Sequence, residues 1–107
     1  MDNEKRLARR RILRVRAMVE IGSRPVAGRT HDISSIGIAI LLPMATAVGC
    51  QARVHFMLPM GGRMHAVVVA GRVTNCTLSA DEFRTGFAFV AVGAEQQALI
   101  DRFCSES

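Results

Sequence analysis

Apolar and polar residues alternate along much of the chain with a period of two. Every second residue from Val15 to Ile21 is apolar, and the segment 52–58 alternates in the same way. This period is typical of β-strands that bury one face. Both segments are therefore predicted as half-buried strands.

Further strands are predicted from shorter or less regular patterns, at 26–33, 37–42, 66–73 and 85–92. The continuous apolar run 37–42 could also be a buried helical turn, because periodicity alone does not separate the two. Turns are predicted at Gly22–Pro25, Pro59–Gly62 and Leu78–Glu82. Gly71 indicates a bulge or a close backbone approach within its strand.

The apolar spacing changes after Gly93. Ala94, Ala98, Leu99 and Phe103 recur at three to four residues, which predicts a short amphipathic helix from about 94 to 104. Several short strands joined by turns and followed by one helix favour a mainly β fold. We predict a small six-stranded antiparallel barrel at 12–107, with the helix as a lid and a flexible basic arm at 1–11.

Composition narrows the class of protein. The chain has 107 residues, half of them hydrophobic, which suits one domain with one core. The longest apolar run, 36–50, is interrupted by glycine and proline, so no membrane insertion is expected. No signal peptide is expected, because no apolar stretch follows the charged start of the chain. Three distant cysteines argue against disulfides and zinc, and favour the cytoplasm.

Positive charge is concentrated in the first sixteen residues. They contain seven basic and two acidic residues, whereas the remaining charges balance. All the basic residues except Lys5 are arginine. Arginine presents a planar fork of donors that suits phosphates and guanine edges. The arm is therefore predicted to bind an anion, with a merely solvated tail as the alternative.

Two motifs carry the functional signal. Arg10 and Arg14 have an Arg-x-x-x-Arg spacing, and residues 32–37 have the form Asp-x-Ser-x-x-Gly between two predicted strands. With these motifs in this order, the sequence resembles the PilZ domain family, the bacterial receptor module for cyclic di-GMP. The patterns Gly71-Arg72-Val73 and Gly86-Phe87-Ala88-Phe89 extend the resemblance to nearly the whole chain. Ile36 departs from it, because many members have a second glycine there.

The resemblance implies cyclic di-GMP as the ligand, no other cofactor, and an unidentified protein effector as the partner. Carried onto this sequence, the ligand-binding residues are Arg9, Arg10, Arg14, Asp32, Ser34 and Gly37, with Arg11, Ser35 and Arg72 as a second group of candidates. In relatives, an arginine at the position of Arg9 is associated with a stacked pair of ligands. Two molecules per chain are therefore expected.

The chemistry of these residues suits that ligand. Guanine shows N7 and O6 acceptors on one edge, which an arginine fork reads, and N1–H and N2–H₂ donors on another. Arg10 and Arg14 are expected to contact phosphates and the acceptor edge, and Asp32 the donor edge. The chain has no tryptophan or tyrosine, so Arg9 and Arg11 are the candidates for base stacking.

Simpler interpretations of the same residues remain open. Asp32 and Ser34 could be ordinary turn formers, and Arg72 could be a solvated barrel residue. Gly37 could allow a close backbone approach, supply a positive φ, or be an ordinary glycine at a strand edge.

Three other functions compete with a cyclic di-GMP adaptor. A nucleic-acid-binding module would use the same arm, but the neutral body without an aromatic platform disfavours nucleic acid as a partner. A PilZ-like protein without ligand binding would lack the arginine motif, which this chain has. An enzyme is the least favoured, because no nucleophilic side chain and base stand at a spacing that indicates a catalytic pair.

Overall fold

The computed structural model of the protein describes residues 9–106. Their alternating segments form strands and the three-to-four-residue spacing forms a helix, as expected from the two periods. The elements are β1 (Arg11–Ile12), β2 (Arg16–Ile21), β3 (Arg24–Ile33), β4 (Gly37–Leu42), β5 (Gln51–Met60), β6 (Arg63–Ser79), β7 (Glu82–Ala91) and α1 (Ala94–Ser105). Positions 1–8 of the predicted arm, 1–11, lie outside the described residues.

The strands form a closed antiparallel barrel. Their order is β1-β3-β2-β5-β6-β7-β4, and β4 also pairs with β3, so that β2 to β7 close on themselves. Closure removes the exposed strand edges that an open sheet would have. The predicted six-stranded barrel with a C-terminal helix is confirmed.

Strand β1 is an addition to the predicted barrel. Arg11 pairs with Ile33 and Ile12 with Asp32, so β1 lies beside the end of β3. The sheet therefore begins at Arg11, one residue before the predicted start of the barrel domain.

A bulge separates β1 from β2. Three residues, 13–15, stand opposite two residues of β3, Thr30 and His31. The hydroxyl of Thr30 fills the irregularity, since it accepts from Val15 N at 2.9 Å and donates to Leu13 O. These bonds satisfy backbone groups that the interrupted ladder leaves unpaired.

A second bulge turns Asp32 to the outside of the barrel. Thr30 pairs with Ile40 and Asp32 with Ala39, so His31 is an extra residue between them. In a regular strand, Thr30 and Asp32 would share a face, because side chains alternate with a period of two. Ile40 lies in the core, whereas Ala39 is buried outside the core cluster. The bulge thus gives Asp32 an outward side chain.

The core fills the barrel and extends under the helix. Inward-facing aliphatic residues include Val19, Val54 and Leu58, each completely buried. Helix α1 adds Ile100 and Phe103 to the same cluster. Burial of each large side chain contributes roughly 1.5–3 kcal/mol of stability, so the helix is an integral part of the domain. No helix of the described residues has the length and apolar character needed to cross a membrane.

All three predicted turns are shorter in the structure. Strand β3 already begins at Arg24, inside the predicted turn Gly22–Pro25. Strand β5 continues through Met60, and only Gly61 and Gly62 turn the chain. Strands β6 and β7 remain paired through Leu78↔Phe83 and Ser79↔Glu82, where a turn was predicted at 78–82. Strand pairing overrides the weak local preference in all three places. The predicted irregularity at Gly71 is confirmed by a register shift between Ala70 and Gly71.

Gly37 is required by a close approach between β4 and β7. A Cβ atom built there would lie 2.6 Å from the backbone oxygen of Phe87. The positive-φ glycines of the described residues lie elsewhere in the chain. Of the interpretations open at the sequence level, the structure selects the close approach, within the barrel itself.

We expect Gly37→Ala to lower the free energy of unfolding by about 1–3 kcal/mol, because the backbone of β7 must move to admit the methyl group. Urea unfolding would measure the change. Gly93→Ala is the matched control, since a Cβ there meets nothing within 4 Å. Equal stability of the two variants would contradict the close-approach role of Gly37.

Candidate functional site

The outward-facing carboxylate of Asp32 is the centre of a charged cluster. Arg10 donates from Nε to Oδ1 at 2.7 Å, and its Nη2 lies 2.5 Å from the same oxygen. His31 Nδ1 lies 2.8 Å from Oδ2, and Arg84 Nη2 lies 3.3 Å from that oxygen. The carboxylate therefore brings together the arm, strand β3 and strand β7.

Burial and charge act on Asp32 in opposite directions. Its side chain is only 10 % exposed, and this burial by itself raises the pKa of the carboxyl group. Hydrogen bonds from His31 and Arg10, together with the Arg10 charge, outweigh burial and hold the pKa below its ordinary value. The group is thus ionised at neutral pH and acts only as an acceptor. His31 donates to it through an Nδ1–H.

Arg10 and Arg14 line two different cavities. Arg14 is exposed and, with His31, Arg29 and others, lines a cavity of about 230 Å³. Arg10 and Arg84 line a second cavity of about 380 Å³. His31 and Asp32 are adjacent in sequence and connect the two. The Arg-x-x-x-Arg spacing thus places one arginine in the lining of each cavity.

Small residues form the floor of the larger cavity. Asp32 pairs with Ala39, Ala39 with Gly86, and Gly86 with Asn75, which makes a row across three strand boundaries. A Cβ on Gly86 would lie 2.6 Å from Asn75 Nδ2, so the Asn75 amide lies directly above that glycine. The result is a shallow polar channel with arginines at its rim.

The loop of residues 34–36 is held by hydrogen bonds within the loop and to helix α1. Ser34 is completely buried. Its hydroxyl accepts from Ile36 N at 3.2 Å and donates to Gly37 O at 3.4 Å. The backbone oxygen of Ser35 accepts from Gln97 Nε2 of α1 at 3.0 Å. Ser34 therefore holds the shape of the loop, and Ser35 joins it to the helix.

Arg11 is bound by the helix. Its guanidinium lies 4.0 Å from the centroid of the Phe103 ring, and Nη1 donates to Phe103 O at 2.6 Å. A cation–π contact and a charge-assisted hydrogen bond occupy the planar group that base stacking would use. The structure thus assigns Arg11 to the contact between the arm and α1.

The remaining candidates lie apart from the Asp32 cluster. Arg9 is exposed at the start of the described residues. Arg72 is exposed on β6, where it pairs with Gln51 and Ala88, and it lines neither cavity.

His31, Asn75 and Arg84 are the site residues that sequence reasoning missed. His31 is one of three histidines scattered along the sequence, and Arg84 and Asn75 belong to no motif. Arg84 reaches Asp32 from 52 positions away in the chain. The one sequence signal for Arg84 is its outward position on the predicted last strand, and many solvated residues have such a position.

Residues 9–106 contain no group of three or more histidine, cysteine or acidic side chains placed to hold an ion. Cys50, Cys76 and Cys104 are free thiols. Burial, chiefly, raises the pKa of Cys104 to about 11, so this thiol remains protonated at neutral pH.

Residues 4–106 match the PilZ domain family. No curated protein matches the chain.

Solved structures agree in fold. The Bacillus subtilis inhibitor of motility (MotI/DgrA) aligns with a TM-score of 0.82 and 15 % identity, over 91 % of this chain and 48 % of its own. The PilZ domain of CeSA from a cellulose-synthesizing bacterium aligns with a TM-score of 0.63 and 19 % identity, over 89 % of this chain and 93 % of its own. A tetrameric PilZ protein of Xanthomonas campestris aligns with a TM-score of 0.57 and 18 % identity, over 76 % of this chain and 44 % of its own. This chain spans about half the length of the Bacillus protein.

Acid should remove the contribution of Asp32 to stability. The folded-state pKa lies below the ordinary 3.8, so stabilisation is complete above that value and is lost as the pH falls through the folded pKa. We expect Asp32→Asn to lower the free energy of unfolding by about 1–2 kcal/mol at neutral pH. Urea unfolding of both proteins should show the difference shrinking below about pH 3.8.

Asp81→Asn is the control, because Asp81 is exposed in the turn between β6 and β7. It should show no comparable pH-dependent difference. A difference between Asp32→Asn and the unmodified protein that stays constant from neutral to acidic pH would show that the charge of Asp32 is not its source.

Proposed function

The chain belongs to the PilZ domain family, non-enzymatic domains that bind cyclic di-GMP and interact with protein effectors, and on that premise we propose that it is a cyclic di-GMP receptor that signals to a protein partner. One observation carries the proposal. Arg10 and Asp32, one from each motif and 22 positions apart, meet through a 2.7 Å hydrogen bond. This contact supports a single site built from the two motifs.

Each charged group has a chemical counterpart on the ligand. Arg10 and Arg14 bind phosphates and the N7/O6 edge of guanine, for which their planar forks are suited. Asp32 accepts from N1–H and N2–H₂ of a guanine. This role requires an ionised carboxylate, and the lowered pKa of Asp32 provides one at neutral pH.

Binding proceeds by exchange of partners at Asp32. In the free protein the carboxylate is occupied by Arg10, whose side chain is 49 % exposed. An incoming guanine replaces Arg10 at the carboxylate, and the released arginine binds the anionic part of the ligand. Arg10 then pairs with a phosphate, and the donors of the neutral guanine satisfy the Asp32 carboxylate, so the exchange leaves no buried charge without a partner. Ser34 and Gly37 support this exchange by fixing the loop that follows Asp32.

The signal leaves through the arm and helix α1. Arg11 is the neighbour of Arg10 and is bound to Phe103 of the helix. Ser35 is bound to Gln97 of the same helix. Movement of Arg10 toward ligand and ordering of the arm therefore change the surface that α1 and the arm offer to a partner. Since the Bacillus relative is an inhibitor of motility, a motility component is the first partner class to test.

Loss of either motif arginine should weaken binding. We expect Arg10→Ala and Arg14→Ala to reduce affinity for cyclic di-GMP roughly 5- to 150-fold, because each removes charge-assisted contacts. Isothermal titration calorimetry measures the change. Arg53→Ala is the matched control, since Arg53 is exposed on β5 and lines neither cavity.

Other ligands separate the competing functions. The proposal expects cyclic di-GMP to bind more tightly than cyclic di-AMP, and Asp32→Asn to reduce that preference. Binding of a short single-stranded RNA without binding of cyclic di-GMP would instead identify a nucleic-acid module. Normal affinity in either arginine variant would show that the motif assignment is wrong.

Arg9 provides the basis for a second nucleotide. It is exposed next to Arg10, and a stacked pair of ligands offers it a phosphate and a base face. We expect calorimetry to give about two nucleotides per chain, and Arg9→Leu to lower the ratio toward one. Arg53→Leu should retain the ratio of the unmodified protein. A ratio of one in that protein would reject the paired ligand and leave the receptor function intact.

A further inference from the structure

We propose that Arg84, which belongs to neither motif, is a further ligand-binding residue that contacts a phosphate of the ligand in the cavity between β4, β7 and β6. This inference rests on the proposed function and names an additional residue of the same site. Arg84 and Arg10 line that cavity together with Ala39 and Gly86.

The two arginines already share an anion. Arg10 contacts Oδ1 of Asp32 and Arg84 contacts Oδ2 at 3.3 Å. A phosphodiester also presents two unesterified oxygens that share one negative charge, and guanidinium groups bind such pairs well. In the free protein, Asp32 therefore occupies the place of a phosphate between two guanidinium groups.

The exchange at Asp32 releases both cations together. When Asp32 accepts from a guanine, Arg10 and Arg84 both lose their carboxylate contact. Both side chains are about half exposed, at 49 % and 47 %, so they reach a ligand without unfolding of the barrel. A phosphate beside the bound guanine restores an anionic partner to each.

Neighbouring charges leave Arg84 available for this role. Glu82 on the same strand is bound to Arg29 at 2.6 Å. Among the described residues, Asp32 is the carboxylate within ion-pair distance of Arg84. Two arginines against one carboxylate leave a surplus of positive charge, which favours an anion in the cavity.

The shape of the cavity also suits a phosphate. Its lining contains two small neighbours across β4 and β7, Ala39 and Gly86, beside Thr77, Leu78 and Ser79 of β6. Asn75 lies directly above Gly86 and adds a carboxamide that can donate to an oxygen. The approximately 380 Å³ of space accommodates part of a nucleotide.

Calorimetry on Arg84→Gln tests the inference. We expect cyclic di-GMP to bind roughly 5- to 30-fold more weakly than to the unmodified protein, with Arg84→Lys intermediate, because lysine keeps the charge and loses the fork. Arg53→Gln is the control and should bind normally. The bound ³¹P resonances of cyclic di-GMP should shift between the unmodified protein and Arg84→Gln.

A double-mutant comparison separates a phosphate contact from a positioning role. If Arg84 only positions Asp32, adding Arg84→Gln to Asp32→Asn causes no further loss of affinity. We expect a further loss, because the phosphate contact does not depend on the carboxylate. Absence of that loss, or normal binding by Arg84→Gln when Arg10→Ala is impaired, would overturn the inference and leave the proposed function standing. Failure of the unmodified protein to bind would reject both.

Discussion

Strand β3 is paired along both of its edges, and both the barrel and the site depend on this constraint. One edge carries β1 and β2, and the other carries β4, whose second partner β7 completes the barrel. The register differs between the ends of β3 on both edges, so the strand contains a bulge at His31 and faces another at 13–15. A bulge redirects side chains that a regular strand would leave on one face. Closure of the barrel and exposure of Asp32 are therefore parts of the same arrangement.

A nearly buried carboxylate requires compensation, and this determines the electrostatics of the site. Removal of an ionised group from water is unfavourable unless charged partners and hydrogen bonds replace the water. Asp32 obtains them from Arg10, His31 and Arg84. These partners come from the arm, β3 and β7, so one ionised group fixes three parts of the molecule. A ligand that competes for Asp32 consequently acts on all three.

Helix α1 is physically connected to this arrangement. Its Phe103 holds Arg11, its Gln97 holds Ser35, and Cys104 Sγ lies 3.7 Å from Ile33 O. The three contacted residues are direct neighbours of Arg10, Ser34 and Asp32 in the sequence. Contacts of this kind are a physical route for coupling between the Asp32 cluster and the helix. In the proposed function, they are the route by which ligand binding changes the surface at α1.

The sequence alone predicted strands β2 to β7, with 37–42 open between a strand and a helical turn, the helix, and the two motifs. Alternation predicts β2 and β5 because their inward and outward faces differ at every second residue, and the motifs mark Arg10, Arg14 and Asp32 as candidate site residues. The structure places Arg10 against Asp32 and Arg14 in the neighbouring cavity. Tertiary structure decided which face Asp32 occupies, because this follows from strand register and not from local pattern. It also decided that Arg84 joins Asp32 and that Arg11 binds Phe103. These contacts join residues 52 and 92 positions apart, and only closure of the barrel and docking of the helix bring such distant side chains together.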